Sequence, residues 1–156
     1  MICGNIYIYV LNNPLKYIDP TGLDAIVTLY AGQGGNPFNH IGIGTTTGNN
    51  AGQTFGAGPN SGAGIGLFSP VPGHVAPDNG TPIGTVIIPT TPQQDAAINA
   101  YNQAAAGSPF QYDLTNNSCV DHVRGGLNSG GINIPGSGQN TNFPNTLFNS
   151  LQNAYP

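Results

Sequence analysis

Positive charge is almost missing from this chain: Lys16 and Arg124 are its only basic side chains, against six aspartates and no glutamate. A surface that binds nucleic acid neutralises phosphates with several lysines or arginines, and two cannot build that footprint. Nucleic acid is therefore excluded as a partner. No apolar run approaches the roughly 18–20 residues that a membrane-spanning helix needs, so no transmembrane segment is expected. Nothing at the start has the charged-then-apolar form of a signal peptide, and entry into another compartment is expected to use another route. Cysteine is scarce as well. Cys3 and Cys119 lie in segments of very different character, which favours two free thiols, one of them functional, over a disulfide. Cys119 and His122 are the only close-spaced pair among the cysteines and the three histidines (His40, His74, His122), which falls short of a zinc site, so neither metal nor cofactor is expected.

Glycine (24) and proline (14) are abundant, near the level that marks disorder, yet the apolar residues are grouped in periodic runs and not diluted evenly. The pattern predicts a loop-rich but folded α+β domain. Strands are expected at 25–30, 40–45, 53–57 and 84–89, where short β-branched or alternating runs end in Gly, Pro or Asn. A further strand, Ile6–Val10, and a turn at Asn12-Asn13-Pro14 precede them. In the second strand the alternation sets His40, Gly42 and Gly44 on one face and Ile41 and Ile43 on the other, so the glycines leave the histidine's face open. Residues 58–82 hold much Gly and Pro and no clear period, which reads as one long surface loop, a lid or substrate wall carrying Ile65, Leu67, Phe68 and Val71.

Two helices have clear boundaries. Thr91-Pro92-Gln93-Gln94 supplies an N-cap, a first-turn proline and a capping-box glutamine, and Gly107 closes a helix over 92–106. Asn116, Asn117 and Ser118 are turn and cap residues for a second helix over 118–130, with Val120, Val123 and Leu127 as its apolar stripe. Gly136–Asn142 is expected to be a flexible loop, and Leu147, Phe148, Leu151 and Tyr155 mark a final short helix.

Cys119 falls in the first turn of the second helix, where exposed N–H groups and the helix dipole favour a thiolate, the reactive form of the side chain. A strand-borne His40 can act as general base and later acid, and Cys119 as covalent nucleophile. The first-turn amides, with Asn117 and Ser118 beside them, are candidates for holding an oxyanion. An inert buried cysteine and a surface histidine fit the same spacing. The group orienting the imidazole is expected on the strand after His40, from Gln53 or Thr54. His122 is a rival base, three residues from Cys119 on one helix face. His74 reads as a surface or substrate-contacting residue, and Asp95, Asp113 and Asp121 as cap, turn and solubility residues.

Two stretches resemble known families. Residues 4–23 carry N-x-Y-x-Y-V-x-N-N-P followed by Y-x-D-P-x-G-L, which closely resembles the end of the Rhs (YD-repeat) core that precedes variable C-terminal toxin domains. The resemblance implies two units: residues 1–23 as the core's end, with Asp19 matching an aspartate of its aspartyl-protease-like site, and residues 24–156 as the toxin domain, separated by a cut between Leu23 and Asp24. It further implies a secreted effector, held in a β-cocoon before release, carried by type VI secretion in interbacterial competition into a target cell's cytoplasm or periplasm. A cognate immunity protein would accompany it.

From about residue 25 to 152 the order H-I-G-I-G, T-F-G-x-G-P, a strand-helix unit, Y-D-L-x-x-N-x-C-x-x-x-V, G-G-I-x-x-P and F-P-x-x-L-x-x-x-L resembles the circularly permuted papain-like group of NlpC and lecithin:retinol acyltransferase. That resemblance implies Cys119 as nucleophile and His40 as base, in a small antiparallel sheet with packed helices. It implies amide hydrolysis of a protein or peptidoglycan substrate by a peptidase or amidase, with lipid deacylation by the same dyad as the alternative. Ser118 departs from the group, which often has Asn immediately before Cys. A non-catalytic binding domain on the same fold is the third expectation.

Overall fold

A computed structural model describes residues 22–32, 37–135 and 143–156. The expected segment up to residue 21, including Cys3, Asp19 and the Ile6–Val10 strand, lies outside the described residues, as do the whole loop at 136–142 and part of the 32–37 loop.

The chain is an α+β fold built on one antiparallel sheet. Its strands are β1 (Asp24–Tyr30), β2 (His40–Thr45), β3 (Thr54–Pro59), β4 (Val71–Pro77), β5 (Pro82–Pro89) and β6 (Phe110–Tyr112), in the order β5-β1-β2-β3-β4-β6. Helices α1 (Pro92–Ala106), α2 (Cys119–Ser129) and α3 (Pro144–Ala154) complete it. β1 runs along β2 in strict alternation, Val27 opposite Ile43 and Thr28 opposite Gly42. Ala25, Val27, Leu29, Ile41 and Ile43 thereby share one face, and α1, α2 and α3 bury it with Ile98, Val120, Val123, Leu127, Leu147 and Leu151. A smaller cluster of Phe55, Ala57 and Val75, joined by Ala105 and Phe110, seals the β3–β4 side. Burying each of the valine, leucine, isoleucine and phenylalanine side chains among these contributes on the order of 1.5–3 kcal/mol.

The helix ends follow their signals. Thr91 Oγ1 accepts from the Gln94 N–H at 3.3 Å while Gln94 Oε1 accepts from the Thr91 N–H at 3.0 Å. Gln94 also donates to the Gly130 carbonyl at 2.9 Å, tying the start of α1 to the end of α2. Asp95 is buried and accepts from the Thr90 and Thr47 hydroxyls, so it braces the turn between β2 and β3 rather than serving solubility.

Residues 58–82 depart from the expected single loop, because β4 forms within them. Its sequence, Val-Pro-Gly-His-Val-Ala-Pro, has the composition of a turn, and nothing local favours extension. What holds it is pairing on both sides: Gly56 with Ala76 and Gly58 with His74 against β3, and Val71 with Tyr112 against β6. Pro72 and Pro77 sit near its ends, where a missing N–H interrupts the ladder least. The short β6 was likewise invisible to pattern. The rest of the segment packs on the 112–114 turn, the Leu114 N–H donating to the Gly66 carbonyl at 3.2 Å, with Phe68 almost wholly solvent-exposed.

Candidate active site

β2 and β3 are joined through only two residue pairs, Ile43 with Phe55 and Gly44 with Thr54. Beyond them, toward His40, both strands carry glycine on the face that bears the histidine. That space is occupied by a carboxylate. A Cβ on Gly42 would run into the Asp78 carboxylate, and one on Gly56 into both the His40 ring and Asp78. Glycine at these two positions is a steric requirement of the site.

Asp78 follows β4 directly and is anchored by its backbone, its N–H donating to the Thr54 carbonyl at 2.9 Å and its carbonyl accepting from Gln53 Nε2 at 2.8 Å. One carboxylate oxygen lies 2.7 Å from His40 Nε2. The other accepts from the Thr54 hydroxyl at 2.7 Å. Thr54 has then spent its single proton, so the Tyr30 hydroxyl, 2.6 Å away, donates to Thr54 Oγ1. Tyr30, Thr54, Asp78 and His40 form one directed chain, with the Asp78 side chain 5% exposed and that of His40 27%.

The third member of the site is therefore Asp78. Gln53 and Thr54, expected to orient the imidazole, act one step back: Thr54 on the carboxylate and Gln53 on the Asp78 carbonyl. Asp78 escaped sequence reading because Pro77-Asp78-Asn79-Gly80 has the composition of a solvated turn. The available signal was the pair Gly42 and Gly56, whose shared empty face calls for a buried occupant.

Cys119 arrives from the helix layer. Ser118 is the N-cap of α2: its hydroxyl oxygen accepts from the Val120 N–H at 3.2 Å, and Asp121 accepts from both the N–H and the hydroxyl of Ser118, at 2.8 and 2.9 Å. This box fixes the first turn of a helix that packs against β2 and β3, and brings the free thiol of Cys119, 5% exposed, to the imidazole. With Nε2 engaged by Asp78, Nδ1 is the nitrogen left for sulfur. Burial works against a charged His40 ring, but hydrogen bonding to Asp78 and Cys119 and the negative charge of both outweigh it, holding the imidazolium up to about 10.

Asn117 and Ser118 are committed elsewhere. Asn117 Nδ2 donates to the Gln111 carbonyl at 2.6 Å, and Ser118 donates twice to Asp121, so both serve the turn and cap, and the two donors of Ser118 are spent there. The first N–H of α2, that of Cys119, has no intrahelical acceptor and is the natural donor there. Tyr112 stands nearby. Burial first, then negative charge at Cys119, raises its hydroxyl well above the ordinary value and keeps it a donor.

His122 is buried in the interior. Its Nε2 lies 3.1 Å from Asn102 Oδ1, its ring stacks on Tyr101 with centroids 5.1 Å apart, and Asn102 donates to the Ile43 carbonyl at 3.0 Å. Burial drives its pKa down to about 4, with the Asp78 charge opposing and the His40 charge assisting. His74 lies outside the triad, on β4, its Nδ1 2.9 Å from Asn60 Oδ1. Among the described residues no three His, Cys, Asp or Glu side chains gather as a metal site, and no helix is long and apolar enough to cross a membrane. Comparison with models of protein families, with curated proteins and with solved structures finds no match.

Proposed function

We propose that this chain is the toxin domain of an Rhs effector and acts as a papain-like cysteine hydrolase on an amide bond. One observation carries the chemistry: a single imidazole held between a buried carboxylate and a helix-start thiol. That is the arrangement in which a thiolate and an imidazolium coexist near neutral pH.

The thiolate of Cys119 attacks the amide carbonyl carbon, forming a C–S bond, while the Cys119 N–H receives the oxyanion. His40 gives its proton to the departing nitrogen as the C–N bond breaks, leaving a thioester, an amine and a neutral imidazole. Water then adds to the thioester with His40 taking its proton. Breaking the C–S bond releases the acid and restores the ion pair. Asp78 keeps the ring oriented and stabilises its charged form throughout.

Amide chemistry is favoured over lipid deacylation by the cleft beside His40, about 300 Å³ and lined by glycine, alanine, proline and polar residues. Ile65, Leu67, Phe68 and Val71 do not line it. The lipid alternative rests on Leu67 and Phe68 standing exposed together, as side chains that enter an apolar surface do. The Rhs context rests on the resemblance of residues 4–23, and with it come delivery into a target cell, a cognate immunity protein and a cut after Leu23.

The test is growth inhibition by the chain expressed in cytosol or in periplasm, with Cys119→Ala as control. Inhibition in one compartment, lost in the variant, supports the reading. Equal toxicity of the variant points to a non-catalytic binding domain. Cysteine-dependent release of fatty acid from phospholipid vesicles would move the assignment to lipid.

A further inference from the structure

The cleft touches the imidazole and not the sulfur: His40, Asp78, Gly56, Gly58 and His74 are among its lining residues, and Cys119 is not. In the mechanism above the imidazolium hands its proton to the departing nitrogen, so the group lodged beside the imidazole is the leaving amine. Among the described residues no lysine or arginine lines the cleft, and the Asp78 carboxylate is already engaged by His40 and Thr54. An anionic substituent would meet there only the His40 charge, which Asp78 and Cys119 already balance. His74, whose Nδ1 donates to Asn60 Oδ1 at 2.9 Å, adds a polar ring to the cleft's wall. A volume of about 300 Å³, at the low end for ligand pockets, suits a group of about the size of one residue.

We propose that this cleft, walled by His74 and floored by Gly56 and Gly58, is the leaving-group subsite, selecting an uncharged amine of about one residue, such as a glycine-, alanine- or serine-like one, and rejecting an acidic one. The proposal rests on the cysteine-hydrolase reading. The two glycines of the floor differ in a useful way. A Cβ at Gly56 collides with the triad, whereas one at Gly58 meets nothing within 4 Å and projects into open space. Valine at 58 therefore fills the subsite without touching the dyad, and a β-branched residue suits a strand.

The experiment uses the whole chain in three forms, unaltered, Gly58→Val and His74→Ala, with Cys119→Ala as reference. It reads growth inhibition, site-resolved iodoacetamide alkylation of Cys119, and cleavage of quenched peptides differing only after the scissile bond (Gly, Ala, Ser, Asp). Gly58→Val is expected to lose at least tenfold in toxicity and cleavage while its alkylation rate stays within twofold. His74→Ala is expected to raise KM several-fold with kcat held, and Gly, Ala or Ser to be preferred over Asp by tenfold or more. Undiminished toxicity of Gly58→Val beside an inert Cys119→Ala overturns the subsite and leaves the hydrolase standing. A toxic Cys119→Ala overturns both. Collapse of alkylation in Gly58→Val, an unselective peptide series, or no cleavage of any peptide overturns the subsite as well.

Discussion

Two histidines of this domain, both largely enclosed, are held in opposite charge states by their surroundings. His40 stands over a floor of glycines with a carboxylate on one nitrogen and a thiol on the other, and is held up to about 10. His122 lies between Tyr101 and Asn102 in the helix layer, with a neutral amide as partner, and falls to about 4. Enclosure disfavours charge in both rings. The partner decides: anions reverse the penalty at His40, and an amide cannot at His122. One ring is thereby fitted for proton transfer, while the other locks α1, α2 and β2 together.

The strongest test of that division compares Cys119→Ala and His40→Ala with His122→Ala. The first two are expected to abolish toxicity with circular dichroism unchanged, and the third to retain it; loss of activity only in His122→Ala would transfer the base role to that residue. Gly56→Ala should approach the same null activity, since its methyl group displaces both the imidazole and Asp78. Asp78→Asn removes one of the two anions that hold His40 charged. Cys119 alkylation at neutral pH is expected to slow by about 10- to 100-fold, a deficit of roughly 1.4–2.7 kcal/mol, and the alkaline limb of peptide cleavage, in which His40 must still carry its proton, to move from near 10 toward 6.5.

Stability should record the same contrast. For His40 the folded pKa lies above the unfolded value, so its contribution is complete below about 6.5 and disappears as pH climbs through about 10. For His122 the folded pKa is depressed, so the unfolded chain takes up the extra proton and stability declines as pH falls from about 6.5 toward about 4. Urea unfolding is expected to give a maximum between those limbs. His40→Asn should flatten the alkaline side. His122→Leu should flatten the acid side, while costing about 1–3 kcal/mol from the Asn102 Oδ1 left without the His122 partner. Thr54→Val, which strips one hydrogen bond from Asp78, is expected to slow alkylation by tenfold or less, and Tyr30→Phe by less again.

Sequence pattern made β1, β2, β3 and β5 visible because each is a short apolar or alternating run closed by a breaker. It fixed α1 almost to the residue through Thr91, Pro92 and Gly107. It reached Cys119 and His40 because a thiol after a Ser cap and a histidine opening a strand are local features. β4 and Asp78 were out of reach for one shared reason: their roles arise from pairing with β3 and β6, chain segments that are remote or barely longer than a turn. His122 was ambiguous for the converse reason. Helical spacing puts it near Cys119, and only the packing of Tyr101 and Asn102 draws it inward.

The chain from Tyr30 through Thr54, Asp78 and His40 to Cys119 draws one side chain from each of five separate stretches, none within nine residues of the next. Such a site has no precursor in any local fragment. It comes into being only when the long-range strand pairings close, the slowest class of contact to form in a folding chain. Until that moment the polypeptide carries a thiol and an imidazole as ordinary, uncoupled side chains, so whatever keeps the sheet from closing also keeps the chemistry off.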